Sequence, residues 1–395
     1  MYRKFTADHI FTGYEILPGA AVLIADPSGT IIEIVDYKDA GDGIEMFAGL
    51  LTPGFINAHC HLELSHLKGT IPEKTGLVEF VQLVMGNRAS SRELKLDAMM
   101  SAEAEMYQSG IVAVGDICNT TDSVPVKQQS KLLWHNFIEV SGFTDAAAQK
   151  RLDDMKNVYE LFPTPNGKQK TTFSPHAPYS VSKRLFQLLN DETAGQLITI
   201  HNQECAAEND LYRHKNGGFL GLYKNFGIDI SSFEPTGKTA FQSWLPFFPN
   251  RQSIISVHNT FTGKEDLVFA ERHTSKTAGT VMYCVCINAN KYIEQKTPPI
   301  DLLRRSNCNI IIGTDSYASN HQLNILEEIK TIQQENNCNI PLKELLQWAT
   351  INGARALQLD HTVGSFEKGK KPGVILIEGL DNLQVTPEAF AGRIL

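Results

Sequence analysis

Short runs of β-branched and aliphatic residues recur along the chain, and between them apolar residues return every three or four positions. Eight such runs follow one another: "GFINAH", "IVAVGDI", "LWHNFIEV", "TTFSPH", "LITIHN", "IISVHN", "TVMYCVC" and "NIIIGTD". Their near-continuous apolar character predicts strands buried on both faces, as in a parallel sheet. Helical patterns at 91–109, 146–161, 182–190, 325–335 and 341–357 fall between or after them. Eight strand-and-helix units predict an α/β fold closed as a (β/α)8 TIM barrel, with an open doubly wound sheet as the alternative. No dinucleotide fingerprint follows the first strand, and no low-complexity segment or short repeat interrupts the pattern.

The two ends read differently. "AAVLIAD", a Pro-Ser-Gly turn and "TIIEIVD" predict a hairpin near the start. The tail "GSFEKGKKPGVILIEGL" has glycine and lysine punctuation before a strand at 374–377. Residues 1–50 plus 365–395 are therefore expected to form a small β-sandwich domain, and 51–364 the barrel.

Composition narrows the function. A 395-residue chain that is 42% hydrophobic can build a full core. A net charge of −8 with no basic stripe disfavours nucleic acid. No signal-like apolar segment and no run of about 20 apolar residues occurs; the expectation is a cytoplasmic protein without a membrane partner. Seven cysteines without framework spacing fit a reducing compartment. Cys284 and Cys286 fall on one face of a strand and read as small buried hydrophobes.

Polar residues gather where the predicted strands end. The first ends in His59, with His61 two residues on; the fourth leads into His176, the fifth ends in His201, the sixth in His258 and the eighth in Asp315. Each histidine alone reads as an ordinary core or surface imidazole. Together they change the picture, because the C-terminal strand ends of a barrel form its active-site face. Imidazole and carboxylate are the ligands a catalytic zinc or iron takes while leaving a position for water. Glu204, three residues after His201 in "HNQE", is placed to face the same cavity and move protons. The sequence leaves open whether His258 ligates the metal or holds its water. The clusters "SWLPFFP" and the 20 phenylalanines read as packing.

"LTPGFINAHCHLELSHLKG", "SPHAPYSVS", "HNQE", "VHNTFT", "INAN" and "IIIGTDSYASN", in that order and followed by "GSFEKGKKPGVIL", resemble the metal-dependent amidohydrolase superfamily over nearly the whole chain. The resemblance is to the mononuclear branch with cytosine, guanine and S-adenosylhomocysteine deaminases and the chlorohydrolases, and within it to aminofutalosine deaminase-like sequences. It implies that His59, His61, His201 and Asp315 bind one divalent ion, zinc or iron. It also implies that His258 polarises the water and that Glu204 shuttles its proton, with Asp315 a second catalytic carboxylate. Binuclear relatives carry a bridging lysine near the end of the fourth strand, where "TTFSPHAPYS" has none.

The implied reaction is hydrolytic release of ammonia from an aminopurine nucleoside, with cleavage of another C–N, C–Cl or lactone bond as the alternative. His176, Glu63, Arg88 and Asn290 are the candidate contacts to this small-molecule substrate. Barrels of this family often form homodimers. Two motifs depart from the pattern: C-P-x-S-N is here Cys286, Ile287, Asn288, Ala289 and Asn290, and G-K-x-A-D is "GKKPG".

Overall fold

The alternating ends of the chain and its continuous apolar middle fold in different ways in the computed structural model, which describes residues 2–163 and 169–395. Five strands come first: β1 (Arg3–Phe11), β2 (Ile16–Pro18), β3 (Ala21–Ala25), β4 (Ile31–Asp36) and β5 (Ile44–Thr52). β3 and β4 are the expected antiparallel hairpin. Its turn is fixed by Asp26, whose Oδ1 accepts the N–H groups of Ser28 and Thr30 at 2.8 and 2.9 Å. Two late strands, β14 (Ile375–Asp381) and β15 (Gln384–Arg393), join them. The result is one seven-stranded sheet in the order β15-β14-β5-β1-β3-β4, with β2 against β1. Phe5, Leu23, Leu51 and Val374 are buried in its core.

All eight apolar runs of the middle are strands. They are β6 (Phe55–Cys60), β7 (Ile111–Cys118), β8 (Leu133–Val140), β9 (Gln169–Pro175), β10 (Leu197–Asn202), β11 (Ser253–His258), β12 (Thr280–Val285) and β13 (Asn309–Ile312). They pair in parallel as two four-stranded sheets, β6 to β9 and β10 to β13. At one junction the His201 N–H donates to the His176 carbonyl at 3.0 Å. At the other the N–H groups of Thr314 and Asp315 both reach the His59 carbonyl at 3.1 Å.

Helices intervene as the sequence predicts. Ser91 and Ser182 cap Arg92–Gln108 and Lys183–Glu192, each side chain accepting an N–H three residues on. The spans expected at 146–161 and 325–335 are Ala148–Glu160 and Ile325–Glu335. The span at 341–357 is less regular, since a wider turn over Trp348–Asn352 separates Leu342–Gln347 from Gly353–Ala356. Leu77–Asn87 is a helix that the pattern does not predict, because "LVEFVQLVM" is apolar on more than one face. Cys284 and Cys286 are fully buried, as expected. Among the described residues no helix is long and apolar enough to cross a membrane.

Candidate metal centre and active site

Parallel pairing sets the strand ends level. Asn202 lies in register with His258 across β10 and β11, and Cys60 bridges to Asp315 beyond β13. Close approach at the second junction depends on Gly313, where a Cβ would stand 2.8 Å from the His59 Cβ and 2.9 Å from Cys284 Sγ. Asn57 then ties the two strands together, donating to Thr314 Oγ1 at 2.8 Å and accepting the Thr314 N–H at 3.0 Å. Asp315 and His258 sit in left-handed backbone, with φ of 59° and 71°. Such positions cost non-glycine residues about 1–3 kcal/mol and cluster at functional sites.

These constraints bring four side chains to one point. His61 Nε2 is 3.2 Å from His59 Nε2, 3.1 Å from His201 Nε2 and 3.3 Å from Asp315 Oδ1. His59 Nε2 lies 3.5 Å from the same carboxylate oxygen. Ligands at 2.0–2.1 Å from a tetrahedral metal stand about 3.3 Å from one another, which these four distances match, and the donors of His59, His201 and Asp315 lie within 4.8 Å of one another. Burial pushes the His61 imidazole down to about 4 and holds His201 well below the usual range. Burial alone would raise Asp315, but the hydrogen bond from His59 and the nearby His61 and His258 hold it well below the usual carboxylate range. Neutral imidazoles around a carboxylate are the protonation states that bind a divalent cation.

Glu204 and His258 stand beside this point, with Glu204 Oε2 3.5 Å from His258 Nε2. Burial and the field of Asp315 push the Glu204 carboxyl well above its usual range. The loop carrying Glu204 is held by Glu208, whose carboxylate accepts the N–H groups of Gln203 at 3.0 Å and of Glu204 at 2.7 Å.

A cleft of about 640 Å³, its open mouth included, leads down to these groups. His61, His201, Asp315, Glu204 and His258 are among its lining residues, as are Arg88 and His176. His176 Nδ1 is 2.6 Å from Ser180 Oγ, and its carbonyl takes the His201 Nδ1–H at 2.8 Å. Two substrate candidates lie outside the lining. Glu63 accepts the N–H groups of Asn119 and Thr120 at 3.2 and 3.1 Å and so holds the loop after β7; burial raises its carboxyl to about 7. Asn290 is buried against His258 and Thr260.

Several residues escape the sequence reading. Glu139, near the end of β8, lines the cleft; its Oε2 accepts from Asn119 Nδ2 at 2.7 Å, and its buried Oε1 has no hydrogen-bond partner. The signal was the one used for the histidines, a polar residue at the end of an apolar strand. Leu77, Phe80, Val81, Val84 and Met85 form an apolar wall from the unforeseen helix. Beneath the site, Lys127 Nζ lies 2.5 Å from Asp116 Oδ2 with both side chains fully buried, while Asp116 Oδ1 accepts the Leu62 N–H at 2.8 Å. This pair anchors the segment that follows His61.

Comparison with known proteins bears on this geometry. The family model described as "Amidohydrolase family" matches residues 50–393. The 5-methylthioadenosine/S-adenosylhomocysteine deaminase of Thermoanaerobacter pseudethanolicus is 27% identical over 361 residues, 85% of this chain and 74% of that protein. In fold, the chain is similar to Helicobacter pylori aminofutalosine deaminase in complex with methylthio-coformycin. The TM-score is 0.79 at 24% identity, covering 97% of this chain and 93% of the other. It is also similar to an adenosine deaminase from Xanthomonas campestris with bound zinc, at a TM-score of 0.72 and 20% identity, covering 98% and 86%.

Proposed function

The chain belongs to the amidohydrolase family, and we propose that within it the protein is a metal-dependent hydrolytic deaminase of aminopurine nucleosides. The observation that carries this reading is the convergence of His59, His61, His201 and Asp315 at the foot of a cleft that also holds Glu204 and His258. Those four residues would hold one divalent ion, zinc in preference to iron. Such an ion lowers the pKa of water from about 15.7 to near 7 and so supplies the nucleophile at neutral pH.

Every other step falls to the protein. Glu204 accepts the proton of the attacking water and passes it to a ring nitrogen of the substrate, for which a raised carboxyl pKa is the suitable setting. His258 stabilises the charge that develops on the attacking oxygen. Asp315 takes the second proton of the attacking oxygen, and the exocyclic amine gains it as the carbon–nitrogen bond breaks, so that one water and one amine give an oxo product and ammonia.

The names of the relatives support a purine nucleoside whose 5′ group varies. Among the lining residues, Glu139, Arg88 and His176 would offer hydrogen bonds to sugar hydroxyls, and Leu77, Phe80, Val81, Val84 and Met85 would offer apolar contact. We divide the chain into a closed (β/α)8 barrel at 51–364 and a small β-sandwich from 1–50 plus 365–395. The hydrogen bonds at both junctions between the parallel sheets support closure. The cysteines of the described residues are all free thiols, which supports a reducing compartment such as the cytoplasm.

Turnover of adenosine-type substrates in water labelled with heavy oxygen tests the reaction. The reading expects one labelled oxygen in the purine product for each ammonia released. An unlabelled product, or cleavage elsewhere in the nucleoside, contradicts it.

A further inference from the structure

Two buried imidazoles of the site make opposite hydrogen bonds at Nδ1. His201 Nδ1 lies 2.8 Å from the His176 carbonyl oxygen. A carbonyl only accepts, so Nδ1 carries the proton and Nε2 keeps a lone pair for a metal. His258 Nδ1 instead lies 3.2 Å from the amide nitrogen Nδ2 of Asn290, which also reaches Thr260 Oγ1 at 2.8 Å. An amide nitrogen only donates. His258 Nδ1 therefore accepts, and the proton of the neutral ring is on Nε2.

The opposite orientation of the amide is disfavoured by what it would bury. Asn290 Oδ1 has no hydrogen-bond partner, and the residue is fully buried. Turning the amide over would place its NH2 group in that spot. Two orphaned donors cost more than one under-used carbonyl oxygen, and orphaned N–H groups are the rarer defect in folded proteins. The turn that carries His258 is fixed independently: Asn259 Nδ2 donates to the Ser256 carbonyl at 2.8 Å, and Asn259 Oδ1 accepts from Ser256 Oγ at 2.6 Å.

We infer that Asn290 is a positioning residue that holds His258 in its Nε2–H tautomer, so that His258 acts as a hydrogen-bond donor at the reaction centre and not as a ligand of the ion. This rests on the reading of the site as that of a metal-dependent hydrolase. Distance alone does not separate the two roles, because the His258 donor atom lies within 4.8 Å of those of His59, His201 and Asp315. The tautomer does separate them: a protonated Nε2 has no lone pair to give. Its proton faces Glu204 Oε2, 3.5 Å away.

Two-bond proton–nitrogen correlation spectra of zinc-replete protein with isotope-labelled histidine test the inference, with His258 assigned by its loss in His258→Gln. The expected result is an unprotonated Nδ1 and a protonated Nε2 for His258, against the reverse for His201. Asn290→Asp presents a carboxylate that can only accept. In that variant the His258 pattern should invert, and kcat should fall about 10- to 100-fold with KM and one bound metal retained. A protonated Nδ1 on His258 of the wild-type protein overturns the inference, whatever the variant does. The expected tautomer in a protein that deaminates nothing leaves this inference standing and removes the proposed reaction. The inverted tautomer in an active deaminase does the converse.

Discussion

Glu204 Oε2 stands 3.5 Å from His258 Nε2, and both line the cleft together with His61, His201 and Asp315. If Glu204 carries the proton between water and substrate, Glu204→Gln keeps the shape and the metal but cannot accept it. Turnover should fall by about 10² to 10⁴-fold, the usual contribution of general acid–base catalysis. Steady-state kinetics together with metal analysis check this. A variant with the wild-type kcat takes Glu204 out of the proton transfer.

The metal itself is tested through His201, whose Nδ1–H to the His176 carbonyl fixes the ring with Nε2 toward His61. His201→Ala should bind less than one ion per chain and lose its thermal stabilisation by added zinc, since binding to the folded state alone raises stability. Chelated wild-type protein should regain activity when zinc is restored. A His201→Ala protein with full metal content and the wild-type response to zinc contradicts the assigned shell.

Much of this arrangement was legible in the sequence, for a definite physical reason. Strands buried on both faces are apolar throughout, so the polar residues His59, His201 and His258 at their ends stand out against the run. Parallel pairing then brings those ends together whatever their separation along the chain. Glu139 was missed because a single carboxylate followed by valine in "HNFIEV" looks like an edge of the strand rather than a group aimed into a cavity. The helix Leu77–Asn87 was missed because it is covered on two sides, packing on the body and lining the cleft, so it lacks a clean polar face. Glu63 was legible as a carboxylate near the site, but not its partners: the backbone N–H groups it holds come from the loop after β7.

Glu139 itself supplies a sharp comparison. Its Oε2 accepts from Asn119 Nδ2, while Oε1 makes no hydrogen bond and lies 3.8 Å from His201 Nδ1. Glu139→Gln should raise KM for a nucleoside by about tenfold, a cost of about 1.4 kcal/mol, in the range of one hydrogen bond. The effect should vanish for an analogue lacking the sugar hydroxyl. An equal effect on both substrates contradicts hydroxyl recognition by Glu139.

The Lys127–Asp116 pair predicts a stability effect without a catalytic contact. Both side chains are fully buried, and Lys127 Nζ also donates to Asn136 Oδ1 at 2.8 Å. Lys127→Met leaves Asp116 as an uncompensated buried charge and should cost about 3 to 5 kcal/mol. Replacing both residues by apolar ones should recover a large part of the loss. Denaturant unfolding of the two variants measures it, and a single variant as stable as the wild type contradicts the account of the pair.

The most direct test of the central claim is ammonia release by metal-replete protein from adenosine, S-adenosylhomocysteine, methylthioadenosine, aminofutalosine, guanine and cytosine, with Asp315→Ala as the control. The account predicts release from at least one purine nucleoside, abolished in Asp315→Ala. No ammonia from any of them, from protein shown to bind one metal ion, would contradict the proposed deaminase while leaving the metal centre in place.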